Sequence, residues 1–78
     1  MIEFKVPHMG LTMDELTIIE WRCAIGDQVT EGQTLVELEA DKANTEVESP
    51  AAGVVAELLA SAGDQVAPGQ VIARLRPL

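Results

Sequence analysis

Apolar and polar positions alternate with a period of two in several short stretches. Val36, Leu38 and Ala40 alternate with Glu37, Glu39 and Asp41, and a little later Thr45 and Val47 alternate with Glu46 and Glu48. In an extended chain successive side chains point to opposite faces, so both stretches are predicted as half-buried strands. Thr17, Ile19, Trp21 and Cys23 are expected to share one face of another strand, against Ile18, Glu20 and Arg22. Ile72 and Leu75, with Arg74 and Arg76, mark a less regular last strand. The Ala- and Leu-rich stretch from Val54 to Ala62 is compatible with helix, but its counterpart in the first half reads as strand, so strand is assigned. Turn signals are frequent: Gly26-Asp27, Glu31-Gly32, Pro50, Gly53, Gly63-Asp64 and Pro68-Gly69. Pro68-Gly69 suits the centre of a type II turn, where Pro presets φ and Gly takes φ > 0.

The turn signals repeat. Gly26-Asp27-Gln28-Val29 returns as Gly63-Asp64-Gln65-Val66, and Gly32-Gln33 as Gly69-Gln70, both 37 residues later. Nearer the start the offset is 43: Pro7 matches Pro50, Gly10 matches Gly53, and Glu3-Phe4 matches Glu46-Val47. The first half therefore carries six extra residues, Leu11 to Leu16, read as an inserted loop with two acids and exposed apolar side chains. Two similar halves of short strands point to a symmetric all-β sandwich or barrel.

The segment Val36 to Val47 sets its own register. With a turn centred on Asp41-Lys42, opposed residue numbers sum to 83: Leu38 faces Thr45, Val36 faces Val47, and Glu37 faces Glu46. A slip of one residue would turn every apolar side chain outward, so the register is firmly set. Neither Asn-Gly nor Asp-Gly is present, so a four-residue loop, Ala40 to Ala43, is expected, with Lys42 at an exposed tip. Glu37, Glu39, Asp41, Glu46 and Glu48 surround it. A like-charge pair such as Glu37–Glu46 weakens a sheet slightly, which points to a recognition surface. Lys42 is one of only two lysines, the other being Lys5. A tip lysine can equally be an ordinary solubilising residue.

Composition narrows the choices. Seventy-eight residues leave room for one small domain, residues 1–78, with a thin core. Thirteen acids against five bases give a net charge of −8, which argues against nucleic acid and against an anionic membrane surface. The single cysteine, Cys23, allows no internal disulfide and points to a reducing compartment. No apolar run approaches the ~18 residues of a spanning helix, and the start lacks the regions of a signal peptide. The expectation is a cytoplasmic, bacterial chain. Met1 suggests a native N-terminus, and Pro77 could open a linker to a longer protein.

At Glu39-Ala40-Asp41-Lys42-Ala43 the sequence resembles the lipoyl domains of 2-oxo acid dehydrogenase complexes, whose attachment signature is Asp-Lys-Ala at a β-turn. The similarity spans nearly the whole chain. Gly10-Leu11-Thr12-Met13-Asp14-Glu15, Trp21, Gly26-Asp27-Gln28-Val29, Glu46-Val47-Glu48-Ser49-Pro50, Gly53 and Gly63-Asp64-Gln65-Val66 follow in the family's order. The resemblance implies a flattened β-barrel or sandwich of two four-stranded antiparallel sheets with a pseudo-twofold axis, a barrel-sandwich hybrid. It implies lipoic acid in amide linkage on Lys42, with Asp41 and Ala43 guiding a lipoate ligase or lipoyl transferase. It also implies a swinging arm serving a 2-oxo acid decarboxylase (E1), a dihydrolipoamide acyltransferase core (E2) and dihydrolipoamide dehydrogenase (E3). The chain itself is then a non-catalytic carrier, and the thioester and thiol–disulfide chemistry belongs to the cofactor. Leu16, where Gly is common, Ala40, where Thr or Ser is common, and Cys23 depart from the pattern.

In the family the loop corresponding to Leu11–Leu16 lies near the lipoyl turn and helps the decarboxylase recognise its own domain. Asp14 and Glu15 are therefore candidates for partner recognition, together with Glu39 and Glu46; the alternative for the loop is a cover over one end of the core. His8 has no partner at metal-ligand spacing, and Cys23 and Trp21 read as packing residues. Three other functions compete. A biotinyl carrier would use the same turn, but biotin acceptors resemble Met-Lys-Met or Met-Lys-Leu, not Asp41-Lys42-Ala43. An unmodified interaction module would not need the Asp-Lys-Ala signature. A free-standing enzyme would need convergent catalytic groups, and the sequence offers none. Independently of the family, the repeat puts the mate of Lys42 just past Leu78, so the chain ends are expected opposite the lysine.

Overall fold

The computed structural model describes residues 1–7, 15–40 and 43–78. They form eight strands: β1 (Ile2–Lys5), β2 (Leu16–Trp21), β3 (Gln28–Val29), β4 (Thr34–Ala40), β5 (Ala43–Glu48), β6 (Gly53–Leu58), β7 (Gln65–Val66) and β8 (Val71–Pro77). They pair into two four-stranded sheets, ordered β1-β8-β6-β3 and β5-β4-β2-β7, with every pairing antiparallel. Of the stretch from Val54 to Ala62 assigned to strand, only the part to Leu58 is strand, in β6 (Gly53–Leu58), and residues 59–62 lie outside it.

The repeat is the architecture. Exchanging β1 with β5, β2 with β6, β3 with β7 and β4 with β8 converts one sheet order into the other. Each half therefore contributes strands to both sheets. The turns obey the same relation. The Ala24 N–H donates to Asp27 Oδ2 at 2.9 Å and the Ser61 N–H to Asp64 Oδ2 at 2.8 Å. Gly26 and Gly63 follow with φ of 96° and 93°, a left-handed conformation that disfavours any side chain. Among the described residues the ladders make two separate sheets and do not close into a barrel, so the sandwich half of the expectation holds.

Leu16, Ile18, Val36, Leu38, Val55, Ile72 and Leu75, from both sheets, are buried in one aliphatic core. Phe4 of one sheet meets Trp21 of the other with ring centroids 6.4 Å apart, and the Trp21 indole N–H donates to the Ala60 carbonyl at 2.9 Å.

Two sequence expectations need correction. The proposed common face of Thr17, Ile19, Trp21 and Cys23 is broken: Ile18 is 0 % exposed and Ile19 37 %. The cause is a β-bulge. Ile18 pairs with Leu38 and Glu20 with Glu37, leaving Ile19 as the extra residue, so the inward parity changes there. Leu16 and Ile18 point in before the bulge, and Trp21 and Cys23 are half-buried beyond it. Its repeat mate is the bulge at Ala56 between Val55 and Glu57. Leu16, assigned to the inserted loop as an exposed residue, is instead the first residue of β2 and 1 % exposed. The core takes it because a large aliphatic chain buried there is worth about 2 kcal/mol.

Candidate functional site

The β4–β5 hairpin pairs Val36 with Val47, Glu37 with Glu46, Leu38 with Thr45, Glu39 with Asn44, and Ala40 with Ala43. This is the register read from the alternation. The ladder runs one pair further than expected: Ala40, 7 % exposed, stays in the sheet, so two residues rather than four join the strands. Those two residues are Asp41 and Lys42, which lie outside the described residues, as do His8 and Asp14.

The ends of the sandwich can be assigned from the pairings. Val29 pairs with Gly53, and Gly53 with Pro77. One turn after Val29, β4 starts at Thr34. It then runs seven residues, about 20 Å, to Ala40. Pro77 and the Ala40–Ala43 closure are therefore at opposite ends. Ile2 pairs with Leu75, which puts Met1 at the Pro77 end. Glu15 is exposed just before β2, and Thr17 pairs with Glu39. Glu15 therefore lies at the hairpin's end of the sandwich, while residues 8–14, which hold most of the Leu11–Leu16 loop, lie outside the described residues.

The outer face of this sheet is acidic. Glu20 pairs with Glu37 and Glu37 with Glu46, a row of three carboxylates across adjacent strands. Arg22 answers it: its guanidinium lies 2.9 Å from Glu37 Oε1 and 3.6 Å from Glu46 Oε2. The hydrogen bond to Glu37, then the field of Glu20, raise the Arg22 pKa above its ordinary value. The Asn44 side-chain N–H donates to the other Glu37 oxygen, Oε2, at 3.2 Å. Of the predicted recognition residues, Glu39 and Glu46 are exposed on this face, Glu15 is exposed at the loop's exit, and Ala43 closes the ladder. The sequence pattern does not mark Arg22 or Asn44 as part of this face. The available signal for Arg22 was its position just after β2, beside the acidic hairpin.

Cys23 is half-buried, and its Sγ lies 3.9 Å from the Leu35 carbonyl oxygen. Burial, with a smaller contribution from Asp27, pushes its thiol pKa up, which suits packing and not nucleophilic attack. Among the described residues no three His, Cys, Asp or Glu side chains gather as a metal site, and no helix is long and apolar enough to cross a membrane.

Comparison with known proteins agrees with this arrangement. The family model described as "Biotin-requiring enzyme" matches residues 2–75. The chain is 52% identical over 73 residues to the dihydrolipoyllysine-residue succinyltransferase component of the 2-oxoglutarate dehydrogenase complex of Staphylococcus saprophyticus, covering 94% of this chain and 17% of that protein. It is 43% identical over 77 residues to the acetyltransferase component of the pyruvate dehydrogenase complex of Haemophilus influenzae, covering 99% of this chain and 13% of that one. The chain thus spans under a fifth of the length of these relatives. Among solved structures, the lipoyl domain of the 2-oxoglutarate dehydrogenase complex from Azotobacter vinelandii superposes with a TM-score of 0.79 at 30% identity, over 97% of this chain and 96% of that domain. A single-chain, multi-domain long-chain acyl-CoA carboxylase also matches, with a TM-score of 0.70 at 26% identity over 80% of this chain and 6% of its own. The chain belongs to the biotin- and lipoyl-attachment family, and within it to the lipoyl domains.

Proposed function

We propose that the chain is a swinging-arm carrier in which Lys42 holds lipoic acid as an amide, within a dihydrolipoamide acyltransferase of a 2-oxo acid dehydrogenase complex. The observation that carries this reading is the closure of β4–β5 at Ala40–Ala43, which makes Asp41-Lys42 a two-residue connection at the end remote from Met1 and Pro77. A lysine side chain is the residue type that forms a stable amide with a carboxylic acid, so the residues present fit the group. When bound, the dithiolane supplies thioester transfer and thiol–disulfide exchange.

The protein's own contribution is mechanical and electrostatic. A seven-residue strand buried at Val36, Leu38 and Ala40 gives the hairpin a rigid root. A connection through either chain end would leave the opposite end of the sandwich free to visit several active sites. Asp41 and Ala43 flank the amine and serve the lipoate ligase or lipoyl transferase. Asp14, Glu15, Glu39 and Glu46 present negative charge to the decarboxylase, and the acyltransferase core and dihydrolipoamide dehydrogenase complete the cycle. In this reading the domain is non-catalytic and works in the bacterial cytoplasm.

Biotin is the competing group, because the family and the carboxylase relative both bear on it. The test is to offer the chain lipoate with a lipoate ligase and biotin with a biotin ligase, in parallel, and weigh the products. Lipoyl addition alone supports the carrier reading. Biotin taken up in preference overturns it.

A further inference from the structure

The two halves share their strand topology, so a polar contact found in only one half is not required by that common architecture. The Arg22–Glu37–Asn44 network is such a contact. In the repeat, Glu37 corresponds to Arg74, Arg22 to Leu59 and Asn44 to Met1. The opposite sheet keeps only the pair of Arg74 Nη1 with Glu57 Oε1 at 3.2 Å. The network is therefore peculiar to the sheet that carries Lys42.

Its geometry is that of a brace. β5 lies at the edge of its sheet, with β4 as its one neighbour, and the end of an edge strand frays readily. Asn44 stands diagonally from Glu37, within reach on the same face. Glu37 uses one carboxylate oxygen for Arg22, beyond β2, and the other for Asn44, two residues after Lys42. One carboxylate thus ties the exit of the hairpin to the third strand inward. Removing Glu37 also relieves repulsion with Glu20 and Glu46, so global stability has little reason to fall.

We propose that Glu37, held by Arg22 and Asn44, is a positioning residue that fixes the Lys42 hairpin for its modifying enzyme. This rests on the carrier reading above. Without the brace the hairpin end samples more conformations, and the competent one is a smaller fraction, which raises the apparent KM for the protein substrate.

The experiment compares the wild-type chain with Glu37→Ala, Glu37→Gln and the opposite-sheet control Glu57→Ala. Lipoylation kinetics with a lipoate ligase, ATP and lipoate are measured beside amide hydrogen exchange and thermal unfolding. Glu37→Ala is expected to raise KM and the exchange of the Ala43 and Thr45 amides, which alternation makes the ladder donors at this end of β5, about fivefold, in line with losing one or two net hydrogen bonds. Its kcat, Tm and exchange at Ile18 and Leu75 should stay near wild type. Glu37→Gln, which can still accept from Asn44, should recover part of the loss, and Glu57→Ala should change neither KM nor hairpin exchange. Unchanged KM and hairpin exchange in Glu37→Ala overturn the proposal, and so does an equal effect of Glu57→Ala. A wild-type chain that takes no lipoate overturns the carrier reading instead; the exchange data then still decide whether the brace exists.

Discussion

Gly53 offers a demanding test of the packing. It opens β6, an inner strand, and pairs with Val29 on one side and Pro77 on the other. A Cβ added there would stand 2.5 Å from the Arg76 carbonyl oxygen, 3.3 Å from the Arg76 carbonyl carbon and 3.6 Å from Leu75 Cβ. The nearest obstacle is backbone fixed in a ladder, so no rotamer change relieves it and β6 and β8 must separate. Overpacking of this kind costs about 1–3 kcal/mol. The lost glycine freedom in the unfolded chain returns up to about 1 kcal/mol. The net loss for Gly53→Ala is therefore about 1–2 kcal/mol. In a domain of this size each kcal/mol moves Tm by about 4–8 °C, so a fall of roughly 8 °C is expected in a circular-dichroism melt. Because Gly53 lies at the Pro77 end, far from Ala40–Ala43, modification of the folded variant should match wild type at low temperature. A Tm within about 2 °C of wild type would refute the close approach. Lost modification in a folded Gly53→Ala chain would refute the separation of the two ends.

Asp27 and Asp64 cap equivalent turns, so Asp27→Ala and Asp64→Ala should each cost about 1 kcal/mol in urea unfolding and add in the double variant; a large difference between them would contradict the pseudo-symmetry. Burial raises the Cys23 thiol pKa, so the native state favours the protonated form. Iodoacetamide at pH 8 should therefore react more slowly with Cys23 in the folded chain than in urea. By the same sign, folding should lose stability as pH rises through the ordinary thiol pKa, while Cys23→Ala should lack that component; equal alkylation rates would count against the burial.

Much of this arrangement was legible in the residues. The alternation around Val36 to Val47 carried the hairpin register because one face is buried and the period is two. The Gly-Asp-Gln-Val repeat carried the strand exchange between sheets. What escaped was set by backbone irregularity. The bulges at Ile19 and Ala56 reverse parity in mid-strand, and neither residue type announces one, so strict alternation puts Ile18 and Ile19 on the wrong faces. Leu16 is the last of the six residues by which the two offsets differ, which reads as loop, yet the core holds it. The lack of Gly at the turn favours a loop that includes Ala40, whereas Ala40 is buried and paired with Ala43 in the ladder. At the site, Glu37 and Glu46 were visible as an opposed pair. Their counter-ion was not, because Arg22 reaches them from the third strand across the sheet.

The central claim is that Lys42 is the attachment residue, and its direct measurement is intact mass with peptide mapping after co-expression with a lipoate ligase and lipoate. Lys5 is the only other lysine, so Lys42→Ala and Lys5→Ala chains complete the comparison. The expected result is one lipoyl adduct per chain, mapped to Lys42, kept in Lys5→Ala and lost in Lys42→Ala. An adduct that persists in Lys42→Ala, or an unmodified wild-type chain, would contradict it.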